Sequence, residues 1–324
     1  MKNESDTMLN IGILCHNHFN FIEKCINSIL CQKTSYNYNI IIVDDFSTDG
    51  TREILENFFQ QNPNKIELIF NNENIGALNS AKILAQKAKA KYFCFLDGDD
   101  YWCYENKIQT QIDFLENNPD YAGCFHDAKI EQYNKSNDAN YNHRTHINWK
   151  TYSQFNRYVE DFMPWDLLVR NIIPTASLIF RNTKVSKFLN NFNASALSLS
   201  WALHLEIIKN SKLKYFNEIW SVYNDHPKGA SKIHDITVFK RNNVKILENL
   251  LKDPEWKFYK YEIYDTICKE YRSMLKSKWE LEKSWKEYKK SLNAYKKYIR
   301  IANKFDIDQL KNDFNYVRNN GLVE

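Results

Sequence analysis

The sequence lacks several features that would assign it to common classes of protein. No apolar run reaches the roughly 18 residues that a bilayer-spanning helix needs. The first ten residues are polar and acidic, without the basic start and apolar centre of a secretory signal. No two of the 7 cysteines are spaced as CxxC, which disfavours a zinc site or a disulfide scaffold. We therefore expect a soluble, cytoplasmic protein with reduced and buried thiols.

The fingerprint of a dinucleotide-binding dehydrogenase is also absent. A Rossmann dehydrogenase carries GxGxxG directly after its first strand. In this sequence Gly12 stands alone in the corresponding segment. We therefore set a dehydrogenase aside.

Charge is unevenly distributed, although the net charge of the whole chain is only +4. Residues 231–324 hold 21 Lys and Arg against 14 Asp and Glu, a net charge of +7. The first 230 residues hold 23 against 26, a net charge of −3. A solvated helical face is one interpretation of this bias, and attraction to an acidic membrane surface is the other. Because acids are interleaved with the basic residues, we expect no nucleic-acid partner.

What the sequence does contain is a regular alternation of apolar strands and amphipathic helices. The β-branched run Ile40–Val43 has no polar alternation, which is typical of a strand buried on both faces of a parallel sheet. Further strands are predicted at 10–15, 66–70 and 92–96. The helices predicted between them are 21–30, 51–61 and 77–90. This order predicts an α/β fold with a mostly parallel sheet flanked by helices, in which ligands bind at the carboxyl ends of the strands.

Beyond residue 120 the pattern is looser. We predict a mobile loop over 131–150, a strand over 172–180 and a helix over 201–209. From Asp235 the chain is predicted to be helical. Its packing surface is predicted to be an aromatic and aliphatic stripe at helical spacing, formed by Trp285, Tyr288, Leu292, Tyr295 and Ile299. We therefore expect an α/β domain over 1–232 and a helical C-terminal region over 233–324.

Acidic residues follow two of the predicted strands. Asp44 and Asp45 end one strand, and the turn Asp97-Gly98-Asp99 ends another. Adjacent carboxylates repel one another, so such clusters need a cation or hydrogen-bond donors nearby. An Asp-x-Asp turn offers hard oxygen ligands to Mn²⁺ or Mg²⁺, which keep open positions for phosphate oxygens. A metal that bridges a pyrophosphate makes it a better leaving group.

These segments resemble the family 2 glycosyltransferases, which have the GT-A fold. Residues Ile41–Thr51 are similar to the VDDxSxDGT segment of that family, and Asn74–Ala77 and Leu96–Trp102 continue the match in order. Further family-like segments are 107–111, 118–120, 173–181 and 222–226. The resemblance covers residues 9–232.

The resemblance implies roles for the matched residues. Asp44 or Asp45 would hold the nucleotide base, the turn Asn74–Gly76 would line the nucleotide pocket, and Asp97 would contact ribose or sugar. The predicted donor-binding residues are Asn17, Asp44, Asp45, Asn74, Gly76, Asp97 and Gly98. Asp99 would bind Mn²⁺ or Mg²⁺. His226 would approach the metal or the diphosphate, or it is a plain loop histidine.

Two other residues of the matched segments have two interpretations each. Lys107 either touches a phosphate or is a solvated helix lysine, and we favour the second. Trp102 either forms the floor of an acceptor site or packs in the core. Both interpretations of Trp102 stay open at the level of the sequence.

The catalytic base that the resemblance implies is missing. Family members invert the sugar in one displacement, and a carboxylate takes the proton from the acceptor hydroxyl. Its usual place is just before a tryptophan in a stretch similar to xDWxLH, where this chain has Ser200 before Trp201. A serine hydroxyl is no base near neutral pH, and the loss of a general base costs about 10²–10⁴ in rate. Three explanations stay open. The alignment of this segment with the family is off by a helical turn, or the chain is a slow or inactive variant, or another side chain acts as the base. The candidates for that base are Asp166, His204, Glu206 and Asp225.

The resemblance therefore implies a metal-dependent, inverting glycosyltransferase. It would move a sugar from a nucleotide diphosphate, a UDP-sugar, to a hydroxyl of a saccharide or lipid-linked saccharide during surface polysaccharide biosynthesis. The alternative is an impaired or inactive nucleotide-sugar-binding protein, supported by Ser200. A phosphohydrolase with an Asp nucleophile is disfavoured, because Asp100 and Tyr101 stand where it needs Thr or Val. Peripheral contact with the inner face of the membrane is expected through the basic C-terminal region.

Overall fold

The computed structural model describes residues 7–132, 151, 159–183, 185–193, 196–226, 229, 236–276 and 285–320. The loop predicted over 131–150 lies outside these residues from position 133 onwards. The chain divides into two compact units, Met1–Lys232 and Ile233–Glu324. Among the described helices, none is long and apolar enough to cross a membrane.

The first unit is built on one mixed sheet, to which the described residues contribute nine strands. These strands are β1 (Leu9–Cys15), β2 (Tyr38–Asp44), β3 (Ile66–Phe70), β4 (Tyr92–Asp97), β5 (Tyr101–Trp102), β6 (Tyr121–Gln132), β7 (Asp161–Phe162), β8 (Ile179–Arg181) and β9 (Lys212–Asp225). Their order is β3-β2-β1-β4-β8-β6-β9-β5, with β7 also paired to β9. The strands β3, β2, β1 and β4 are mutually parallel, and β8 joins antiparallel to β4.

Helices cover this sheet as the alternating pattern predicted. They are α1 (Ile22–Leu30), α2 (Thr51–Gln61), α3 (Ala77–Lys87), α4 (Lys107–Asn117), α5 (Pro164–Leu168), α6 (Val185–Asn191) and α7 (Leu199–Ile208). In α1 the apolar residues at helical spacing, Ile22, Ile26 and Ile29, are fully buried against the core. Each such side chain contributes about 1.5–3 kcal/mol to the free energy of folding. The predicted α/β fold with a mostly parallel sheet is confirmed.

The strand predicted over 172–180 is wrong for most of its length. Only Ile179–Arg181 forms a strand, and Thr175–Ser177 forms a 3₁₀ turn. Pro174 carries no amide hydrogen, and both the amide and the hydroxyl of Ser177 donate to its carbonyl, at 2.9 and 2.7 Å. The apolar residues of this segment are buried in irregular backbone, so their composition resembled that of a buried strand.

The second unit is helical, as predicted. Its described helices are α8 (Ile236–Leu250), α9 (Lys260–Leu275) and α10 (Trp285–Asn320), with a 3₁₀ helix at Pro254–Tyr259. The ring of Tyr298 on α10 lies 6.0 Å from that of Tyr271 on α9. The buried face of α10 is rotated from the predicted stripe. The described members of that stripe are half-buried, whereas Ser291, Tyr298 and Ala302 are buried.

Candidate nucleotide-sugar and metal site

The acidic turn after β4 is seated tightly against β1. The amide of Gly98 donates to the carbonyl of Leu14 at 2.9 Å, and the amide of Asp100 donates to the carbonyl of Asp97 at 3.0 Å. A Cβ atom on Gly98 would lie 2.8 Å from Nδ1 of His18 and 3.1 Å from the Leu14 carbonyl oxygen. The turn therefore requires glycine at this position, and the glycine brings His18 close to the acidic residues.

The short strand β5 carries the acidic turn to the end of β9. Tyr101 and Trp102 pair with Val222 and Ser221 of β9. Next to this pairing, the Asn224 amide donates to Oδ1 of Asp100 at 3.0 Å, and its side-chain amide donates to the Asp99 carbonyl at 2.6 Å. These contacts bring His226, which follows β9, close to Asp99 in the turn after β4.

Asp99 is the centre of a carboxylate–histidine cluster. Its Oδ2 atom lies 2.9 Å from Nε2 of His226 and 3.7 Å from Nε2 of His18. The His226 ring stacks on Phe21 with the ring centres 4.8 Å apart. Burial opposes ionisation of Asp99, but His18 and the hydrogen bond with His226 outweigh it and hold the pKa of Asp99 below its usual value. Asp99 is therefore an anion near neutral pH.

The Asp99–His226 pair fits a divalent metal. Two neighbouring ligand atoms on an octahedral ion at about 2.1 Å lie about 3 Å apart, close to the observed 2.9 Å. The carboxylate oxygen suits Mn²⁺ or Mg²⁺, and the imidazole nitrogen, a ligand of transition metals, favours Mn²⁺ of the two. Within the described ranges no three His, Cys, Asp or Glu side chains gather into a metal cage. The protein's own candidate ligands are therefore this pair, with other coordination positions open to diphosphate oxygens and water.

The two acidic neighbours of Asp99 behave differently from it. Burial, and then the charge of Asp99, raises the pKa of Asp97. Burial, and then the charges of Asp99 and Asp97, raises the pKa of Asp100 well above its usual value. Both carboxylates are therefore harder to ionise than an exposed aspartate, and a nearby cation would favour their ionised forms.

Asp44 is the last residue of β2. Its carboxylate is fully buried, accepts the Ser47 amide at 3.0 Å and pairs with Nε of Arg52 at 2.7 Å. Arg52 also donates to the Asn71 carbonyl at 2.5 Å. The cation beside the Asp44–Asp45 cluster is therefore Arg52, while Oδ1 of Asp44 has no hydrogen-bond partner among the described residues. The contact of Asp44 with a nucleotide base stays a prediction.

Asp45 instead holds the turn Asn74–Gly76. Its carboxylate accepts the amides of Ile75 and Gly76 at 2.9 and 2.8 Å, and the side-chain amide of Asn71 at 3.0 Å. Gly76 has a φ of +83°, which an L side chain adopts only with strain. The predicted nucleotide turn is thus fixed to Asp45, the residue after β2, by two backbone hydrogen bonds, and Asn71 adds a third bond to the same carboxylate.

The segment after β1 joins the two halves of the site. Nδ1 of His16 donates to the Asp45 carbonyl at 2.7 Å, and the side-chain amides of Asn17 and Asn74 lie 3.2 and 3.3 Å from its Nε2 atom. Two residues further on, His18 lies beside Asp99. The structure therefore brings Asn17, Asp45, Asn74 and Gly76 together on one side of this segment, and Asp97, Gly98, Asp99 and His226 on the other.

Ser200 lies in the first turn of α7 within a polar network. The side-chain amide of Asn171 donates to Oγ of Ser200 at 3.2 Å, while Oδ1 of Asn171 is 3.0 Å from Nδ1 of His204. Burial lowers the pKa of His204 to about 3, so this histidine is neutral. The indole of Trp201 donates to the Leu167 carbonyl at 2.7 Å and fixes α7 to α5.

The four candidates for a replacement base differ in exposure and pairing. Asp225 and His204 are buried, and Glu206 lies 3.7 Å from the ammonium group of Lys209. Asp166 is half-buried at the start of α5, and one of its oxygens accepts the Met163 amide at 2.8 Å. Burial raises the pKa of Asp166, as suits a general base. Asp166 therefore combines partial exposure with a raised pKa.

Both interpretations of Lys107 are wrong. The side chain is fully buried, and its ammonium nitrogen lies 4.1 Å from the centre of the Trp102 ring. Within the described residues its nitrogen has no hydrogen-bond partner. Trp102 is itself buried and donates to the Ala176 carbonyl at 2.8 Å, which supports core packing and not an acceptor floor.

The prediction of buried, reduced thiols holds for most cysteines. All seven are free, and five of them are buried, while Cys31 and Cys103 are exposed.

Sequence inspection missed three residues of the site, His18, Arg52 and Asn71. Asn71 directly follows β3, so its position at a strand's carboxyl end was a usable signal. Arg52 and His18 carry no such signal in the sequence, because their roles depend on which carboxylate the fold places beside them.

The sequence profile of the family described as Glycosyl transferase family 2 matches residues 10–182. The UDP-Glc:α-D-GlcNAc-diphosphoundecaprenol β-1,3-glucosyltransferase of Escherichia coli is 38% identical over 109 residues, which cover 34% of this chain and 41% of that protein. An uncharacterized protein of Mycobacterium tuberculosis is 24% identical over 221 residues, or 68% of this chain. The chain spans only 60% of the length of that relative.

Solved structures share the fold at low sequence identity. S. aureus TarS 1–349 in complex with UDP-GlcNAc superposes with a TM-score of 0.66 at 15% identity, covering 91% of this chain and 81% of that one. The mannosyltransferase PcManGT of Pyrobaculum calidifontis, in complex with GDP-Man and Mn²⁺, has a TM-score of 0.55 at 12% identity, covering 91% and 83%. At these identities the likeness is one of fold.

Proposed function

The chain belongs to glycosyl transferase family 2, and from that premise we propose that it transfers a sugar from a nucleotide diphosphate to a hydroxyl group of a saccharide or lipid-linked saccharide acceptor in polysaccharide biosynthesis. The observation that carries the proposal is the 2.9 Å pair of Asp99 and His226. It lies after β4 and β9, and a short segment links it to the turn that Asp45 holds. A diphosphate-sugar needs both a cation site and a polar nucleoside pocket.

The metal would be held by Asp99 and His226. When bound, Mn²⁺ or Mg²⁺ would stabilise the charge that develops on the departing nucleoside diphosphate. The complex of PcManGT with GDP-Man and Mn²⁺ supports this assignment at the level of the fold. His18 lies beside the same carboxylate and would orient Asp99 or contact the diphosphate.

The donor would be a UDP-sugar. The TarS complex contains UDP-GlcNAc, and the E. coli relative is named for UDP-Glc, which supports uridine over guanosine. Asn17, Asn74 and Asp45 would form the nucleoside side of the pocket. Asp97 and Gly98 would lie toward the ribose or the sugar.

Inversion requires a base on the acceptor side. Asp166 would take the acceptor proton as the donor's glycosidic bond to phosphate breaks. The network of Asn171 and Ser200 would then orient the acceptor rather than accept its proton.

A thermal-shift assay with UDP-sugars, with and without Mn²⁺, tests donor binding. A ligand that binds only the native state raises the melting temperature by mass action. We expect a Mn²⁺-dependent shift in the native chain, none in Asp99→Asn, and a native-like shift in Asp120→Asn, which changes an exposed carboxylate. The proposal is lost if no nucleotide-sugar shifts the native chain under either condition.

A nucleotide-sugar-binding protein without turnover is the second candidate, favoured by the hydroxyl of Ser200 at the expected base position. Transfer is measured for the native chain, Ser200→Asp and Asp166→Asn. If Asp166 is the base, Asp166→Asn loses about 10²–10⁴ in rate. If the native chain is inactive and Ser200→Asp gains activity, the second candidate is correct. An unchanged or lower rate in Ser200→Asp means that Ser200 does not occupy the base position.

The protein would work at the cytoplasmic face of the membrane. A lipid-linked acceptor is confined to the bilayer, so an enzyme that uses it must reach the lipid surface. The net charge of +7 over residues 231–324 supports contact through the second unit.

A further inference from the structure

Helix α10 carries a dense set of cationic side chains. Residues 288–305 contain six Lys and Arg and no Asp or Glu. All six are exposed in the structure, and they are Lys289, Lys290, Lys296, Lys297, Arg300 and Lys304. We call this set the cationic stripe. Like charges this close together on one helix repel one another, and an anionic surface would relieve that repulsion.

The cationic stripe occupies one side of the helix. At 3.6 residues per turn, its six members fall within an arc of about 120° and extend for about 22 Å along the axis. The buried residues of the same helix, Ser291, Tyr298 and Ala302, lie on the opposite side. Asn293 is the other residue within the arc, so the stripe contains no apolar or aromatic side chain.

Packing inside the second unit holds the stripe toward solvent. Nη2 of Arg272 on α9 donates to the Tyr295 hydroxyl at 3.1 Å, and the Tyr298 hydroxyl bonds to the carboxylate of Glu248 on α8. The ring of Phe305 lies 5.7 Å from that of Tyr264. These contacts fix the rotation of α10 about its axis. The helix would lose them if it rotated to turn the cationic stripe inward.

We infer that the cationic stripe is a docking surface for a bilayer of anionic phospholipids. A straight row of charges on one helix matches a planar array of headgroups, and each basic residue near such a surface strengthens binding about fivefold. The absence of apolar side chains from the arc means adsorption onto headgroups and not insertion. The arc also lacks the aromatic side chains on which nucleic-acid bases stack. The inference rests on the proposed function, because docking would bring the enzyme to a lipid-linked acceptor.

Vesicle co-sedimentation of the full chain tests the inference. The vesicles are phosphatidylcholine alone, or phosphatidylcholine with 30% phosphatidylglycerol as the anionic lipid. The triple variant Lys296→Glu, Lys297→Glu, Lys304→Glu reverses half of the stripe. The control Lys89→Glu, Lys187→Glu, Lys276→Glu makes the same charge change at exposed lysines elsewhere. Circular dichroism and melting temperature establish that both variants fold.

We expect binding to anionic vesicles only, reversed by 0.5 M salt, and weakened at least about 100-fold in the stripe variant. The control variant should lose far less. Equal losses in both variants, or no binding of the native chain, overturn the inference. Selective binding of a single-stranded oligonucleotide in place of vesicles overturns it as well.

A second measurement separates this inference from the proposed function. Transfer to a soluble saccharide acceptor does not need docking, so the stripe variant should keep its rate there and lose it with acceptor embedded in anionic vesicles. If transfer to the soluble acceptor is absent in every variant while vesicle binding persists, the proposed function fails and the docking surface stands. If both transfers are unaffected in the stripe variant, the docking surface fails.

Discussion

Nε2 of His226 lies 2.9 Å from Oδ2 of Asp99, within the spacing of two neighbouring ligands on one metal ion. Replacing the imidazole removes a ligand while leaving the carboxylate in place. We expect His226→Gln to raise the Mn²⁺ concentration for half-maximal transfer about 10–100-fold. A titration of activity against Mn²⁺ measures this. Phe21→Leu is the control, because it removes the stacked ring and keeps both ligands. An unchanged Mn²⁺ dependence in His226→Gln would exclude His226 from the metal site.

Gly98 allows the acidic turn to approach β1 and His18. The Cβ of an alanine would lie 2.8 Å from Nδ1 of His18 and 3.1 Å from a backbone oxygen, so Gly98→Ala must displace one of them. We expect a loss of about 1–3 kcal/mol in the free energy of unfolding and a smaller Mn²⁺-dependent donor shift.

Gly76→Ala is the matched comparison for Gly98→Ala. Its φ of +83° with a ψ of 155° makes alanine strained, at a cost of about 1–3 kcal/mol, but no described neighbour lies within 4 Å of the added Cβ. We expect Gly76→Ala to weaken binding of the nucleoside while leaving the Mn²⁺ response intact. If thermal-shift titrations with Mn²⁺ give the same result for both variants, the two turns do not have separate roles.

Arg52 neutralises a fully buried carboxylate. Removing the guanidinium in Arg52→Met leaves the buried Asp44 carboxylate without its ion-pair partner, which we expect to cost about 3–5 kcal/mol in the free energy of unfolding. Urea denaturation measures this loss. The double variant Asp44→Asn, Arg52→Met should recover much of it, because no buried charge remains. A double variant less stable than Arg52→Met would show that the pair acts through something other than charge.

The buried ammonium group of Lys107 is expected to make the free energy of unfolding depend on pH. Burial lowers the pKa of its ammonium group from 10.5 to about 8. Between these values the unfolded chain binds more protons than the folded chain, so this group makes stability rise with pH. The penalty is fully present below pH 8 and disappears as pH approaches 10.5, a change of about 3 kcal/mol.

Lys107→Met isolates this contribution. Methionine fills a similar volume without a charge, so the variant should be more stable than the native chain at pH 7. We expect the difference in the free energy of unfolding between the two proteins to shrink toward pH 10. Urea denaturation at pH 7 and pH 10 measures it. A constant difference across this range would mean that Lys107 is not titrating.

The parallel half of the fold follows from local sequence. Ile40–Val43 and Tyr92–Leu96 are continuous apolar runs that end in acids, and this pattern predicts both the strands and the edge at which ligands bind. The strand prediction over 172–180 was wrong for most of its length, because Pro174 and Ser177 form a turn that hydrophobic composition does not reveal.

The site itself was predictable only in part. The residue types of the turn Asp97-Gly98-Asp99 predict a metal site, whereas the different partners of Asp44 and Asp45 depend on where the fold places Arg52 and the turn Asn74–Gly76. Lys107 was unpredictable for a related reason. A lysine on a helix is normally solvated, and its burial over Trp102 depends on the packing of α4 against distant strands.

The hydrogen bond between Asp99 and His226 closes a loop of 127 residues. Closing so long a loop costs conformational entropy, which the packing of the elements between the two residues must offset. If Asp99 and His226 hold the metal as proposed, a chain that ends before β9 lacks one of the two ligands. We therefore expect a chain truncated before β9 to bind Mn²⁺ less tightly than the full chain.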